Sequence, residues 1–135
     1  MLTLTASDVL AIHETLAADF AAAADPISPA GIKSHDLLES AVSRQFTGYD
    51  SRLKYNTPTS NAASLTFGIC CNHPFHNGNK RTALVSLLCH LDRNDLAIDH
   101  TTTHDDLYAF MLKVASHGFS EKSAKPAGSR TTAGA

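Results

Sequence analysis

The segment HPFHNGNKRTAL (His73–Leu84) places a histidine, a glycine and two adjacent cations directly before an apolar helical pattern. A helix N-terminus presents free backbone N–H groups and the positive end of a dipole. Lys80 and Arg81 at this position, with Gly78 allowing a tight turn, make a candidate phosphate cradle. His73 lies a short loop away, where a general base could activate a nucleophile. The segment therefore predicts a site for phosphoryl or nucleotidyl transfer.

Apolar residues recur at helical spacing on both sides of this segment and predict an almost entirely helical fold. Capping residues and prolines divide the pattern into five helices. In the fourth helix, Asn79 is a candidate N-cap and Asn94 a candidate stop. The predicted helices begin at Thr5-Ala6-Ser7-Asp8, at Asp36 with Glu39, at Thr57-Pro58, at about Asn79 (ending at Arg93), and at Thr103 with Asp106 (ending at Gly118).

The same spacing assigns a core-facing side to each helix. The third helix is apolar nearly all round, so we expect it in the middle of a bundle. The polar stretch between Gly48 and Asn56 is compatible with a loop or a small hairpin. The residues predicted to face inward on the other helices are Val9, Ile12, Leu16 and Phe20; Leu37, Leu38, Ala41, Val42 and Phe46; Ala83, Leu84, Leu87, Leu88 and Leu91; and Leu107, Phe110, Met111 and Val114.

Length and composition bound the class of protein. The 135 residues fit one domain, predicted to span residues 1–119, and the Ser-, Ala-, Lys- and Gly-rich stretch 120–135 is predicted to be disordered. A net charge of −2 gives no general reason to expect nucleic-acid binding. No apolar run reaches membrane-spanning length, and the N-terminus lacks a basic signal region. Cys70, Cys71 and Cys89 are predicted to be reduced core thiols of a cytoplasmic protein.

The segment resembles the signature of the Fic/Doc family, in particular that of its death-on-curing (Doc) toxin branch. Most Fic enzymes carry His-x-Phe-x-Asp/Glu-Gly-Asn-Gly-Arg-x-x-Arg. The chain departs from that pattern at Asn77, Lys80 and Leu84, and the last two departures are what the Doc branch shows. The likeness extends from roughly Ile27 to Leu96 and implies an all-α, Fic/Doc-type helical bundle. The matching positions are His73, Phe75, Gly78, Asn79 and Arg81.

The resemblance implies ATP and Mg²⁺ as cofactors and a role for each signature residue. His73 corresponds to the general base that activates the hydroxyl being modified, and Arg81 to a contact of the nucleotide phosphates. Lys80 accompanies a switch from nucleotide to phosphate transfer in the Doc branch. Asn77 stands where Fic enzymes place the carboxylate that holds Mg²⁺; an amide oxygen can ligate the ion, but without the charge. The residues expected to bind the nucleotide are Asn77, Gly78, Asn79, Lys80 and Arg81.

Three functions are compatible with these residues. The first is a Doc-like toxin that transfers the terminal phosphate of ATP to a Ser or Thr hydroxyl on a protein of the translation machinery. The second is Fic-type transfer of AMP to a protein hydroxyl. The third, suggested by Asn77, is a catalytically impaired module that binds a nucleotide or a partner. A separate antitoxin chain is expected by resemblance, because this chain lacks the Ser/Thr-x-x-x-Glu-Gly/Asn segment with which many Fic proteins inhibit themselves.

Two further patterns lie near the segment. Tyr49, Arg52 and Tyr55 occupy the region where Fic domains place a flap that docks the target's main chain as an added strand. His73 and His76 spell His-x-x-His, but no other ligands follow at zinc-site spacing. No site role is predicted for the remaining histidines His13, His35, His90, His100, His104 and His117.

Overall fold

The computed structural model describes residues 1–99, 101–103, 105–106, 109 and 129–131. Within residues 1–99 the chain forms four α-helices, which confirms the all-α prediction. No helix in the described residues is long and apolar enough to cross a membrane. The helices are α1 (Ala6–Asp19), α2 (His35–Ser43), α3 (Pro58–Asn72) and α4 (Asn79–Arg93); the strands are β1 (Gly48–Tyr49), β2 (Arg52–Leu53), β3 (Leu96–Ile98) and β4 (Ser129–Thr131).

The helix α3 is the centre of the bundle. It packs against both α2 and α4, and α1 packs against α4. Every residue from Ser60 to Cys70 is buried, as expected for a helix that is apolar nearly all round. Phe75 and Ala83 belong to the same core cluster as Leu65 of α3. The loop between α3 and α4 is therefore anchored in the core through Phe75.

Capping boxes fix the first residues of α1 and α3 where the sequence predicts them. The Thr5 hydroxyl accepts the N–H of Asp8, whose carboxylate accepts the N–H of Thr5. Thr57 and Ser60 make the same reciprocal pair before α3. Each pair satisfies two backbone groups that a helix N-terminus would otherwise leave without partners.

The helix α2 differs from the prediction at both ends. It starts before Asp36, because the hydroxyl of Ser34 acts as N-cap and accepts the N–H of Leu37. It then continues into a 3₁₀ turn, Arg44–Phe46, which leaves the final phenylalanine 58% exposed. The 3₁₀ segment thus adds about one turn of tighter backbone after the end of α2.

The predicted core faces are wrong at three positions. Leu37, Phe46 and Leu88 are exposed instead of inward-facing. The buried stripe of α2 consists of Leu38, Ala41 and Val42, and α4 buries Leu87 and Leu91. A short helix with one packed face buries a narrow stripe, so apolar residues at the edge of that stripe stay in contact with solvent.

The polar stretch before α3 forms a hairpin, one of the two structures that the sequence allows. β1 and β2 pair antiparallel, with Tyr49 opposite Arg52. Asp50 and Ser51 turn the chain with φ angles of 49° and 62°, which suits a two-residue hairpin turn. Tyr49 is 83% exposed, whereas Tyr55 is buried. Of the two tyrosines, only the first lies on the open surface of the hairpin.

Two strands that the sequence does not predict extend the chain after α4. β3 pairs antiparallel with β4, which places Leu96 opposite Thr131. β4 lies inside residues 120–135, whose disorder stays a prediction. The rest of residues 120–135 lies outside the described residues, and the domain boundary at residue 119 stays a prediction.

The start of the predicted fifth helix is capped as expected. The Thr103 hydroxyl accepts the N–H of Asp106, and the Asp106 carboxylate accepts the N–H of Thr103. This reciprocal pair is the arrangement of a capping box. The other predicted features of this region lie outside the described residues: Leu107, Phe110, Met111, Val114, Gly118, His100, His104 and His117.

The three cysteines are free thiols, as predicted. Burial raises the pKa of Cys70 to about 11, which keeps this thiol protonated at neutral pH. Cys89 is partly buried, but Cys71 is exposed. The prediction that all three are core residues is therefore wrong for Cys71, which lies on the last turn of α3.

Candidate active site

A cavity of about 360 Å³ lies where α3 ends and α4 begins. All of the site residues that the sequence predicts line this cavity, and His76 joins them. The structure therefore brings the predicted residues together, while their chemical roles stay predictions. The lining residues are His73, His76, Asn77, Gly78, Asn79, Lys80 and Arg81.

His73 has an unusual backbone conformation for a residue other than glycine. It follows α3 as its C-cap with φ 51° and ψ 57°, in the left-handed region. Its N–H donates to the carbonyl of Ile69 at 3.2 Å, and its side chain is exposed. The following Pro74 removes a donor and fixes its own φ. Left-handed residues that are not glycine are held by their surroundings and concentrate at functional sites.

The backbone of the loop after His73 is bonded to the segment that precedes α2. The carbonyl of Pro74 accepts the N–H groups of Lys33 and Ser34 at 2.7 and 3.1 Å. The N–H of His76 donates to the carbonyl of Gly31 at 3.1 Å. These bonds hold the loop like a short strand, so its shape depends on residues remote in sequence.

Phe75 and Asn79 lock the inner side of the loop. Phe75 is fully buried, which agrees with the anchoring role expected for its ring. The Asn79 side chain accepts the N–H of Phe75 and donates to its carbonyl, both at 2.9 Å. Gly78 is the N-cap of α4, so the prediction that Asn79 caps this helix is wrong. The side-chain amide of Asn79 bonds across the loop to Phe75 and does not cap the helix.

The first turn of α4 offers backbone donors to the cavity. Gly78 has φ 76°, and a Cβ at this position would lie 2.8 Å from the side chain of Ile27. Among the described residues, the N–H groups of Asn79, Lys80 and Arg81 donate to no other residue. Donors of this kind, together with the positive end of the helix dipole, bind anions.

Asn77 is held by two hydrogen bonds of its side chain. Its Nδ2 donates to the carbonyl of Ser28 at 3.1 Å, and its Oδ1 accepts the N–H of Gly78 at 2.7 Å. The first bond requires an amide, because a carboxylate has no donor for a carbonyl. The surroundings of Asn77 therefore match the residue that is present rather than an aspartate.

These contacts limit how well the site fits Mg²⁺, the ion expected at Asn77. Mg²⁺ favours carboxylate and phosphate oxygens. Among the described residues that line the cavity there is no carboxylate, and the amide oxygen of Asn77 already accepts one hydrogen bond. That oxygen keeps a second lone pair for a metal. The protein thus offers the ion one neutral ligand.

Arg81 is engaged by the chain that follows α1. Its Nη1 donates to the carbonyl of Asp25 at 2.7 Å, and the Asp25 carboxylate lies 4.0 Å from Nη2. The guanidinium also lies 5.0 Å above the ring of Phe20. Lys80 is exposed and makes no ion pair within the described part of the chain. Of the two cations, Lys80 is the one whose side chain has no acceptor among the described residues.

His76 is exposed and lines the cavity with His73. In the parts of the chain that the structure describes, no three metal-ligating side chains gather. His76 contributes its backbone N–H to the loop and leaves its imidazole free to contact a ligand.

His13 is a residue of this region that the sequence analysis missed. It is fully buried in α1, and its ring stacks on Phe75 with 3.9 Å between centroids. Burial lowers its pKa, while Glu14 acts in the opposite direction. A histidine between Val9 and Leu16 lies on the apolar side of α1, and that position was the available signal for burial.

Comparison with known proteins identifies a family. The model of the Fic/DOC family matches residues 3–91, which take in α1, the loop after α3 and most of α4. The matched range starts before Ile27, so it includes His13, and it ends five residues before Leu96, the end of the sequence resemblance. A search of the curated proteins gave no match.

Proposed function

Because this chain belongs to the Fic/DOC family, we propose that it transfers the terminal phosphate of ATP to a Ser or Thr hydroxyl of a protein. Members of the family are typically transferases that act on proteins, and they use ATP, typically with Mg²⁺. One observation carries the proposal. His73, the free N–H groups of α4 and two cations line the same cavity, where a base and an anion site are needed together.

In the proposed reaction, His73 accepts the proton of the substrate hydroxyl as its oxygen attacks the γ-phosphorus of ATP. A bond forms between that oxygen and phosphorus, the bond to the β-phosphate oxygen breaks, and ADP leaves. The exposed imidazole at the cavity rim can reach a protein side chain without a buried channel. His73 follows the end of α3 in a left-handed conformation and lines the same cavity as the first residues of α4.

The charge that develops on the phosphates is stabilised by groups already in place. The N–H groups of Asn79, Lys80 and Arg81 need no rearrangement to donate hydrogen bonds to phosphate oxygens. The ammonium of Lys80 adds a mobile point charge. Arg81 uses one N–H for Asp25 and retains others, because a guanidinium has five donors. Catalysis in this scheme rests on positioning and charge neutralisation.

Mg²⁺ would enter with ATP and be held chiefly by phosphate oxygens, with the Asn77 amide oxygen as the ligand from the protein. When bound, the ion neutralises phosphate charge and orients the nucleotide. The single neutral ligand is consistent with a site that holds the ion only while the nucleotide is present.

The position of a radioactive label tests the reaction. Purified protein is incubated with bacterial lysate, Mg²⁺ and ATP labelled at the γ- or the α-phosphate. We expect protein labelling from γ-labelled ATP that is lost in His73→Ala. His35→Ala, which removes an exposed histidine at the start of α2, is the matched control and should retain labelling. Label from the α-phosphate would show AMP transfer, and no His73-dependent label from either would contradict the proposal.

The contacts of Asn77 favour a second candidate, a module that binds a nucleotide or partner without turning it over. The Asn77 side chain is bonded to Ser28 and Gly78. It offers a metal one neutral oxygen in place of the carboxylate that the family places there. The variant Asn77→Asp separates the candidates. Transfer that appears only in this variant would make the natural chain a binding module, whereas transfer by the natural chain would exclude it.

The hairpin β1–β2 is the surface that we propose for the protein target. Its strands are exposed, and an extended segment can pair with an exposed strand edge. A translation protein as target and a separate antitoxin chain rest on the likeness to the Doc branch. Tyr49→Ala should raise KM for the target and leave ATP affinity unchanged. An unchanged KM would remove this side chain from target docking.

A further inference from the structure

The buried histidine of α1 is bonded to both sides of the candidate active site. Its Nε2 accepts the N–H of Gly31 at 2.9 Å, and its Nδ1 lies 3.1 Å from the hydroxyl of Thr82. Gly31 precedes α2, and Thr82 lies in the first turns of α4. His13 therefore joins three elements at one point behind the loop that carries His73.

The hydrogen bonds define the tautomer of the ring. A backbone N–H can only donate, so Nε2 must be the unprotonated nitrogen. In a neutral imidazole the proton is then on Nδ1, which donates to the hydroxyl oxygen of Thr82. Full burial of His13 favours this neutral form. Both ring nitrogens are thus used, and neither faces the cavity or solvent.

Two independent contacts link the position of His13 to the shape of the loop. The first runs through Gly31, whose N–H binds the ring and whose carbonyl accepts the N–H of His76. The second is the parallel stack on Phe75, with 7° between the ring planes. Phe75 and His76 follow His73 within three residues of chain, so both contacts act on the backbone that orients the proposed base.

From these contacts we propose that His13 is a positioning residue for transfer: it holds the loop in the one shape that aims His73 at the phosphate site. The inference rests on the proposed function for its effect on rate, but the contact with the loop is independent of it. Replacement should therefore lower kcat while nucleotide affinity, which depends on the start of α4, is largely kept.

The variant His13→Phe tests this inference with the stack retained and both hydrogen bonds removed. His90→Phe is the matched control, because His90 is also fully buried but bonds to Asn61 and Asn94 instead of the loop region. We expect kcat to fall by about 10²-fold in His13→Phe, the order of loss that follows a misplaced reacting group. The Kd for ATP should change by less than about twofold, since the amides of α4 remain. In His90→Phe the folded fraction should keep the kcat of the natural chain.

A spectroscopic measurement on the same proteins needs no activity. In ¹⁵N-labelled natural protein, the His13 ring should show a protonated Nδ1 and an unprotonated Nε2. The backbone amide signals of His73 and His76 should shift in His13→Phe and stay in place in His90→Phe. If His13→Phe does not fold, Thr82→Val, which removes only the acceptor of the Nδ1 proton, should produce shifts and a kcat loss of the same direction.

The two measurements separate the failure of the inference from failure of the proposed function. Natural protein without any transfer would end the proposed function, and loop shifts in His13→Phe would still support the positioning contact. An active natural protein whose kcat survives His13→Phe, with unmoved amides of His73 and His76, would overturn the inference. Equal loss of kcat in the folded fractions of His13→Phe and His90→Phe would overturn it as well, because the loss would then not depend on contact with the loop.

Discussion

His73 differs from the other residues that carry a positive φ. Asp50 and Ser51 form the hairpin turn, and Asp95 follows the end of α4. Those are turn positions, where Asp and other short polar residues tolerate the left-handed region. His73 has a ring in this conformation and is held there by the bonds of the following loop. The residue with this strained backbone conformation, His73, is thus the proposed general base, whose ring must be oriented toward the phosphate site.

The two glycines with positive φ predict different costs of substitution. Gly78→Ala adds a methyl group 2.8 Å from Ile27, in addition to the strain of φ 76°. Gly31→Ala adds the strain of φ 105° alone, because no atom of the described residues lies within 4 Å of its Cβ position. We expect unfolding free energy to fall by about 1–3 kcal/mol in Gly31→Ala and by more in Gly78→Ala. Urea unfolding of both variants measures this; equal losses would contradict the steric role of Ile27.

The buried histidines predict loss of stability in mild acid. Burial lowers the pKa of His90 to about 4, from an ordinary value of 6.5. Between those values the unfolded chain binds more protons, so stability is complete above pH ~6.5 and falls as the pH is lowered toward 4. At pH 5 the loss from His90 is about 2 kcal/mol, and His13 acts in the same direction. Unfolding at pH 7 and pH 5 measures the difference, and His90→Gln should reduce it. A slope unchanged by that variant would assign the effect to other groups.

At the scale of elements, sequence patterns locate a helix well when both of its ends are marked. The bounds predicted for α4 match the structure, because the signature fixes its start and Asn94 its end. The predicted start of α2 at Asp36 differs from the structure, in which Ser34 is the N-cap. No Glu or Gln stands three residues after Ser34 to mark it as a capping box. β3 was missed for a different reason. Its partner is remote in the chain, and local periodicity does not report on distant pairing.

The candidate site likewise has a part that the sequence predicts and a part that it does not. Which residues line the cavity follows from a contiguous segment, so the sequence was sufficient to predict them. What holds those residues comes from elsewhere: Ser28 binds Asn77, Asp25 binds Arg81 and His13 supports Phe75. Their contribution follows from tertiary contact alone, and no spacing within the sequence encodes it.

Within α4, one buried hydroxyl predicts a stabilising substitution. Ser86 Oγ has no hydrogen-bond partner among the described residues. Ser64 of α3 is also buried, but its hydroxyl donates to the carbonyl of Asn61 at 2.7 Å. We expect Ser86→Ala to be neutral or to stabilise by up to about 1 kcal/mol, because it removes an unpaired polar group and raises helix propensity. Ser64→Ala should destabilise by about 1 kcal/mol. Thermal unfolding compares them, and a loss of stability in Ser86→Ala would show that its hydroxyl has a partner.

At the scale of the whole molecule, side-chain amides attach the N-terminal segment to the bundle. Gln45 accepts the N–H of Leu4 and donates to its carbonyl, at 3.0 and 2.9 Å. Asn94 makes the same two bonds with Leu2, both at 2.8 Å. In each pair, one side-chain amide bonds to the backbone N–H and carbonyl of a single residue, as a neighbouring β-strand would. They bring the start of α1 to the ends of α2 and α4, and so hold α1, with His13, against the loop.

Gln45 should therefore matter more to global stability than the surface ion pair on the same segment. Gln45 and Leu4 are buried, so Gln45→Leu leaves two backbone groups without partners and should cost about 2–4 kcal/mol. Arg93→Ala removes the exposed pair with Asp8, at 3.1 Å, and should cost less than about 1 kcal/mol. Urea unfolding gives both values, and hydrogen exchange at the Leu4 amide reports whether the segment has detached. Equal costs, or an amide of Leu4 still protected in Gln45→Leu, would show that apolar packing of Leu4 and not the amide bonds holds α1 in place.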